Sequence, residues 1–307
     1  MKSAPAILVQ ALGAVARRCP HAWSLAAGRR MGGLMSRVVR SRRRRVLANL
    51  ELALSQSLTP AQRHQIMRQV FQIFGQTLVE TLMLPKMVRQ GLDRYVQIEG
   101  WEHLEKAVQA GRGAIVFTGH FGNWEMVALA QGARGIPMDV VGRPPADAHL
   151  AQHLSVTRTL TGNRDISKYE AARPMLRSLR EGRTVGLVID QNVGGDHGIF
   201  VPFFGRPAST TPALAILALK TGAPLVPVFD YPKDGRHHII YDPPLEDMPR
   251  GRGRADIHAL TARVTSIIEE KVRRRPDLWL WMHNRWRSRP PGETTNPDET
   301  SQPTEPK

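Results

Sequence analysis

His120 and Glu125 stand five positions apart in the stretch Thr118-Gly119-His120-Phe121-Gly122-Asn123-Trp124-Glu125. An imidazole can take a proton from a hydroxyl, and a carboxylate beside it can fix its tautomer and stabilise its charged form. On one continuous helix five residues rotate roughly 500°, which leaves two such side chains about 140° apart. They face each other only if the chain turns between them, and Gly119 and Gly122 permit that turn. Residues 113–117 are short, apolar and rich in β-formers, which predicts a buried strand. From Trp124 the sequence reads as a helix with Asn123 at its N-cap. His120 then lies in a strand-to-helix turn and Glu125 in the first helical turn, where the helix dipole holds a carboxylate ionised. The spacing suits a base and its orienter. It equally suits a helix-capping turn with an incidental histidine, and one His with one Glu supplies too few ligands for a metal.

The surrounding elements must position this turn. From residue 95 onward strands and helices alternate. Strands are expected at 95–99, 113–118, 138–141, 184–189, 225–229 and 237–241. Helices are expected at 101–110, 123–131, about 146–161, 170–180, 210–221 and 256–274. Short apolar strands between helices predict an α/β fold, a mixed sheet covered by helices, with ligands gathering at the strand ends. His120, Arg143 and Asp190 fall at such positions. Asp190 can hold a substrate group or a loop amide, or it can simply cap its loop. Phe203 and Phe204 beside Arg206 suit a chain with a charged head, and equally an ordinary loop on the core. Residues 46–90 read as helices, with Thr59-Pro60 opening the second one. Glu80 ends the apolar stripe of that helix, and the preferred reading is a peripheral helix charge.

The chain of 307 residues carries a formal net charge of +16, which points to an anionic partner. Residues 1–50 hold eleven Lys or Arg and no acidic residue, so they contribute +11 of that charge. The apolar run at 6–16 is too short to span a bilayer as a helix. It can be a cleaved signal peptide ending at Ala14-Val-Ala16, or a segment lying on or dipping into an anionic membrane; the arginines at 17, 18 and 42–45 favour the membrane. An amphipathic helix on the protein's own core is the plainer alternative. Aromatic residues make up 6% of the chain and none interleaves with Arg42 to Arg45, which argues against nucleic acid. Cys19 is the single cysteine, so no intrachain disulfide exists. Three parts follow: a basic membrane-associating helical segment at 1–45, an α/β domain at 46–287, and a Pro-, Thr- and Glu-rich tail at 288–307 expected to be disordered.

Several ordered motifs resemble the lipid A biosynthesis acyltransferases, a late-acting branch of the lysophospholipid-acyltransferase-like group. They are His120-Phe-Gly-Asn-Trp-Glu125, Asp190-Gln191, Pro202-Phe-Phe-Gly205 with Thr210, Lys220-Thr-Gly-Ala-Pro-Leu-Val-Pro227, and Trp279-Leu-Trp-Met-His-Asn-Arg-Trp286. Asn49-Leu50 after the Arg-rich start, and Gly75 with Glu80, also match. The resemblance spans roughly residues 20–290. One departure is Asn284-Arg-Trp-Arg287, where the family often has Arg-Arg-Trp-Lys.

The resemblance implies an enzyme at the cytoplasmic face of the inner membrane. It would move an acyl group from a thioester, on acyl carrier protein or CoA, to a hydroxyl of a lipid A precursor or related glycolipid. No cofactor beyond that co-substrate is implied. His120 would deprotonate the hydroxyl and Glu125 would orient His120. Backbone amides near Gly119 and Gly122 are candidate oxyanion donors. Arg158 is another, or it binds an acceptor phosphate, or it is a surface helix arginine. Asp190, Gln191, Arg143 and Arg206 complete the candidate substrate-binding set. The remaining alternatives are another lipid acceptor, or a non-catalytic lipid-binding protein of the same fold. Acyl length, acylated position and oligomeric state are not readable from the sequence.

Overall fold

The computed structural model describes residues 4–292; the expected tail lies outside them from residue 293 onward. Four helices lead the chain: α1 (Ala4–Arg18), α2 (His21–Val38), α3 (Arg40–Leu54) and α4 (Pro60–Gln90). The start of α4 is fixed by a capping box. Thr59 Oγ1 accepts from the Gln62 N–H, and Gln62 Oε1 accepts from the Thr59 N–H, with Pro60 in the first turn. α2 lies along α4 at close range because both present glycine at the crossing. A Cβ on Gly32 would meet the Phe71 carbonyl oxygen at 2.0 Å, and one on Gly75 would meet the Gly28 oxygen at 2.3 Å. α2 thus rests one face on the protein itself. Its other side exposes Trp23, Met31, Leu34 and Val38 among Arg29, Arg30 and Arg37. Among the described residues, no helix is long and apolar enough to cross a membrane.

The rest of the chain runs β1 (Val96–Glu99), α5 (Trp101–Gln109), β2 (Ala114–Thr118), α6 (Trp124–Ala133), β3 (Met138–Gly142), α7 (Ala148–Arg158), β4 (Arg164–Ser167), α8 (Ala172–Arg180) and β5 (Thr184–Val188). It continues with β6 (Ile199–Phe203), β7 (Arg206–Thr210), α9 (Ala213–Thr221), β8 (Leu225–Lys233), β9 (Arg236–Tyr241) and α10 (Arg254–Arg274). Seven strands form one mixed sheet in the order β1-β9-β8-β2-β5-β3-β4. Neighbours are parallel except β8 and β9. Both faces are covered, as the α/β expectation required. Along β2, Ile115 and Phe117 enter one apolar cluster with α8, α9 and α10, while Ala114 and Val116 enter another with α4, α5 and α6. The central strands β2 and β5 bring their C-terminal ends side by side, with Ile189 N–H bonded to the Thr118 carbonyl.

Four expectations are corrected. β4 is a strand where none was expected, and 199–210 forms an antiparallel hairpin rather than an irregular loop. Phe203 and Phe204 are buried within the core, Phe203 at 5.5 Å from the Trp279 ring, so they offer no open apolar wall. Glu80 is no peripheral charge. It is 1% exposed, and His237 of β9 stands 3.1 Å from its carboxylate.

Candidate active site

The chain between β2 and α6 makes the turn expected from its glycines. Gly122 has φ +60°, and Gly119 lies so close to Asp190 that a Cβ there would meet the carboxylate at 2.9 Å. The Asn123 side chain accepts the Met126 N–H and caps α6. A second segment clamps the turn from outside. Gly122 N–H donates to the Leu278 carbonyl, Leu280 N–H donates to the His120 carbonyl, and Phe121 bridges Trp279. Phe121 is fully buried against Phe229 and Tyr231.

Asp190, two residues past β5, binds His120 twice. Its Oδ1 lies 2.7 Å from His120 Nδ1, and its Oδ2 accepts the His120 backbone N–H at 2.7 Å. The Trp279 indole donates to the same Oδ2 at 2.6 Å. Burial alone would raise this carboxyl, but the His120 charge, its two donors and the Trp279 N–H outweigh it and bring the pKa down to about 2. An ionised Asp190 accepts the hydrogen bond of Nδ1–H, which keeps the proton on Nδ1 and leaves the lone pair on Nε2. The imidazole side chain stays 18% exposed, and the Gln191 amide nitrogen stands 3.2 Å from Nε2. Trp124 packs edge-on to the ring at 4.7 Å between centroids. A cavity of about 20 Å³ opens beside it, lined by Val70, Ile73 and Phe74 of α4 with Trp124, Leu278 and Leu280.

Arg285, from the C-terminal motif, is wholly buried beneath this group. It donates to the Ser209 carbonyl and Thr210 Oγ1 and lies over the Phe203 ring. Burial lowers its pKa to about 10, against the opposing pull of Asp190.

The expected pairing of Glu125 with His120 is not what the structure holds. Both Glu125 oxygens go to Arg158, at 2.8 Å from Nε and 2.6 Å from Nη2, and Arg158 also binds Asp165 at 3.0 Å. The first turn of α6 carries Glu125 away from the ring toward α7. There a bidentate guanidinium is a stronger partner than a single imidazole nitrogen. Burial disfavours the Arg158 charge, yet Glu125 and Asp165 more than compensate and raise its pKa. Arg158 is therefore neither a surface helix arginine nor free for a phosphate.

The backbone amides of the turn are also committed. His120, Phe121, Gly122 and Asn123 donate to Asp190, Gly119, Leu278 and Asp230. They do not form an open oxyanion hole. Arg143 is exposed just past β3, and Arg206 lies on the far hairpin with its Nε toward the Leu52 carbonyl, away from His120. The sequence put His120 and Asp190 at strand ends and Asp190 and Gln191 in the substrate-binding set, but it paired His120 with Glu125 rather than Asp190 and gave Trp279 no role. Its signal was a tryptophan in a buried, aromatic-dense segment with an indole N–H to satisfy. Among the described residues, no group of three or more His, Cys, Asp or Glu is placed to hold a metal ion.

The site is thus an α/β sheet with a carboxylate-bound histidine at the end of its central strands and the Gln191 amide against the outer nitrogen. The sequence model of the bacterial lipid A biosynthesis acyltransferases matches residues 2–288, and the chain belongs to that family. It is an acyltransferase. It is 27% identical over 268 residues to the lipid A biosynthesis lauroyltransferase of Escherichia coli, covering 85% of this chain and 84% of the relative. It is 26% identical over 274 residues to the lipid A biosynthesis palmitoleoyltransferase of the same organism, covering 87% and 86%. Over 219 residues it is 27% identical to a phosphatidylinositol mannoside acyltransferase of Mycobacterium tuberculosis, covering 69% and 67%.

Proposed function

We propose that the protein transfers a fatty acyl chain from an acyl thioester to a hydroxyl of a lipid A precursor or a related glycolipid. The observation that carries this reading is the Asp190–His120 pair, with Nδ1 tied to a buried carboxylate and Nε2 facing the open side. Nε2 takes the acceptor hydroxyl proton as that oxygen attacks the thioester carbonyl. Asp190 holds the ring in this tautomer and stabilises the imidazolium that forms. The Gln191 amide, displaced from Nε2 by the incoming hydroxyl, turns its N–H toward the carbonyl oxygen as negative charge develops there. The intermediate expels the thiolate, which takes the proton from His120 and leaves as thiol. No residue becomes acylated and no cofactor is needed.

The apolar strip Val70, Ile73, Phe74, Leu278 and Leu280 beside His120 supports an acyl-chain path, reached by parting α4 from the 277–280 segment. Arg143, exposed at the same end of the sheet, suits a phosphate of the acceptor. The exposed side chains of α2, apolar with interspersed arginine, suit docking on the anionic cytoplasmic face of the inner membrane. Net positive charge suits either anionic donor, an acidic carrier protein or CoA with its phosphates. The mannoside acyltransferase among the relatives keeps a different glycolipid acceptor as the second reading.

The test uses membranes carrying wild type or His120→Ala. Each receives labelled acyl-carrier protein or acyl-CoA, with a lipid A precursor or a phosphatidylinositol mannoside as acceptor. Product from wild type alone, with one donor and one acceptor preferred, supports the reading and fixes both partners. Equal product from both proteins would overturn His120 as the base.

A further inference from the structure

Directly behind the catalytic turn lies a closed ring of polar groups with no part in the chemistry above. Asp230 of β8 is fully buried. Its Oδ2 accepts the Asn123 backbone N–H at 2.7 Å and lies 2.9 Å from His237 Nδ1. His237, 1% exposed, places Nε2 3.1 Å from Glu80 Oε1. Glu80 Oε2 accepts from the Asn123 side-chain amide at 3.3 Å, which closes the circuit, and Gln76 reaches Oε1 at 3.4 Å. Four residues from α4, β8, β9 and the turn thus bind one another in a loop. Gly122 completes the fit: a Cβ there would meet the Asp230 carbonyl oxygen at 2.3 Å and its carboxylate at 2.7 Å.

Such a ring is costly to bury. An imidazole with a carboxylate on each nitrogen is held as the cation: burial opposes its charge, but Asp230 and Glu80 together raise its pKa well above 6.5. Two carboxylates and one imidazolium leave an excess negative charge in the core. The N-terminus of α6, capped by Asn123, is the positive pole that faces it, while His21, 3.9 Å from Glu80, has its pKa lowered by burial and adds little charge. Apolar residues of the same volume would stabilise a core as well or better, and Asp230 Oδ1 is buried without a hydrogen-bond partner among the described residues, so what the ring contributes is geometry rather than stability. Asn123 is the member shared with the site. It lies three residues beyond His120, and its N–H is the last backbone donor of the turn.

We propose that Asp230, backed by His237 and Glu80, is a positioning group for the acyl-transfer base, setting the height of the 119–123 turn over the sheet and so the reach of His120 Nε2 toward the acceptor hydroxyl. Through Glu80, the same ring ties that height to the N-terminal helix α4. The inference rests on the reading of His120 as the base.

The test compares wild type, Asp230→Ala, Asp230→Asn, Glu80→Gln and His120→Ala in detergent, with saturation kinetics in thioester and in lipid acceptor. A small displacement of a reacting group costs on the order of tenfold to a hundredfold in rate. Folded D230A should therefore lose kcat by about that factor while both KM values stay within about twofold. D230N, whose amide oxygen still accepts the Asn123 N–H, should recover most of the loss. The low-field proton resonance of His120 Nδ1–H should move in D230N and in E80Q, although neither residue touches the ring. If D230A does not fold, D230N and E80Q decide by that resonance. Unchanged kcat and an unmoved resonance in the folded variants, with His120→Ala inactive, would overturn this inference alone. An active His120→Ala would overturn the reading beneath it.

Discussion

Replacing Asp190 by Asn removes the charge on His120 Nδ1 and keeps the volume. The carboxyl is held at about 2 against an ordinary 3.8, a difference of about 2 kcal/mol. That figure is what remains after burial has worked against it, so the gross attraction to His120 and the Trp279 N–H is larger. Deprotonation of the acceptor charges the ring, and stabilisation of that charge is what the amide forfeits. About 2 kcal/mol corresponds to a loss in kcat/KM on the order of thirtyfold. An asparagine that turns its NH₂ toward Nδ1 would also put the proton on Nε2, the wrong nitrogen for a base, and deepen the loss. The assay is initial-rate transfer of labelled acyl chain in detergent at neutral pH, with folded protein confirmed by melting. A variant that keeps kcat/KM within about threefold of wild type would refute the claim that Asp190 orients and stabilises the base.

Other outcomes follow from the same geometry. Arg158→Met strands the Glu125 carboxylate in a buried place and should cost about 3 kcal/mol in denaturant unfolding, most of it regained in the Glu125→Gln/Arg158→Met double variant. Trp279→Phe removes one donor from an ionised carboxylate. It should lower kcat by about tenfold or more with the fold retained, as checked by activity beside near-ultraviolet circular dichroism. His237 has a folded pKa above its unfolded one, so its contribution is full below pH 6.5 and is lost as pH rises toward the folded value. Wild type should therefore lose stability from pH 6.5 upward more steeply than His237→Gln, measured by denaturant midpoints across that range. Asp190 acts in the opposite sense. Its contribution is present above pH 3.8 and disappears as pH falls from 3.8 to about 2, a step missing from Asp190→Asn.

The strand, turn and helix around His120 were legible because their signals are local: a β-branched apolar run, two glycines and an N-cap asparagine within a dozen residues. What escaped depends on distant partners. Glu125 sits five residues from His120, yet its direction is decided by Arg158, thirty-three positions on. A carboxylate on an apolar helix face reads as peripheral unless its counter-ion is visible, and the partner of Glu80 is 157 residues away. β4 was hidden because Arg164-Asp-Ile-Ser has one apolar residue and lies at the sheet edge. The β6–β7 hairpin was hidden because Pro202, Gly205 and Pro207 punctuate it like a loop. Asp190 stood at the right strand end, but strand adjacency, not spacing, put it against His120.

The clamp at 278–280 has a consequence for how the enzyme is made. His120 and Asp190 leave the ribosome with more than a hundred and about ninety residues, respectively, of sequence before Trp279, whose indole N–H donates to Asp190. Until that segment zips onto 120–122, nothing holds the turn from outside and Asp190 lacks one of its donors. Chains cut short before Trp279 carry both halves of the base and its partner yet lack the piece that seats them.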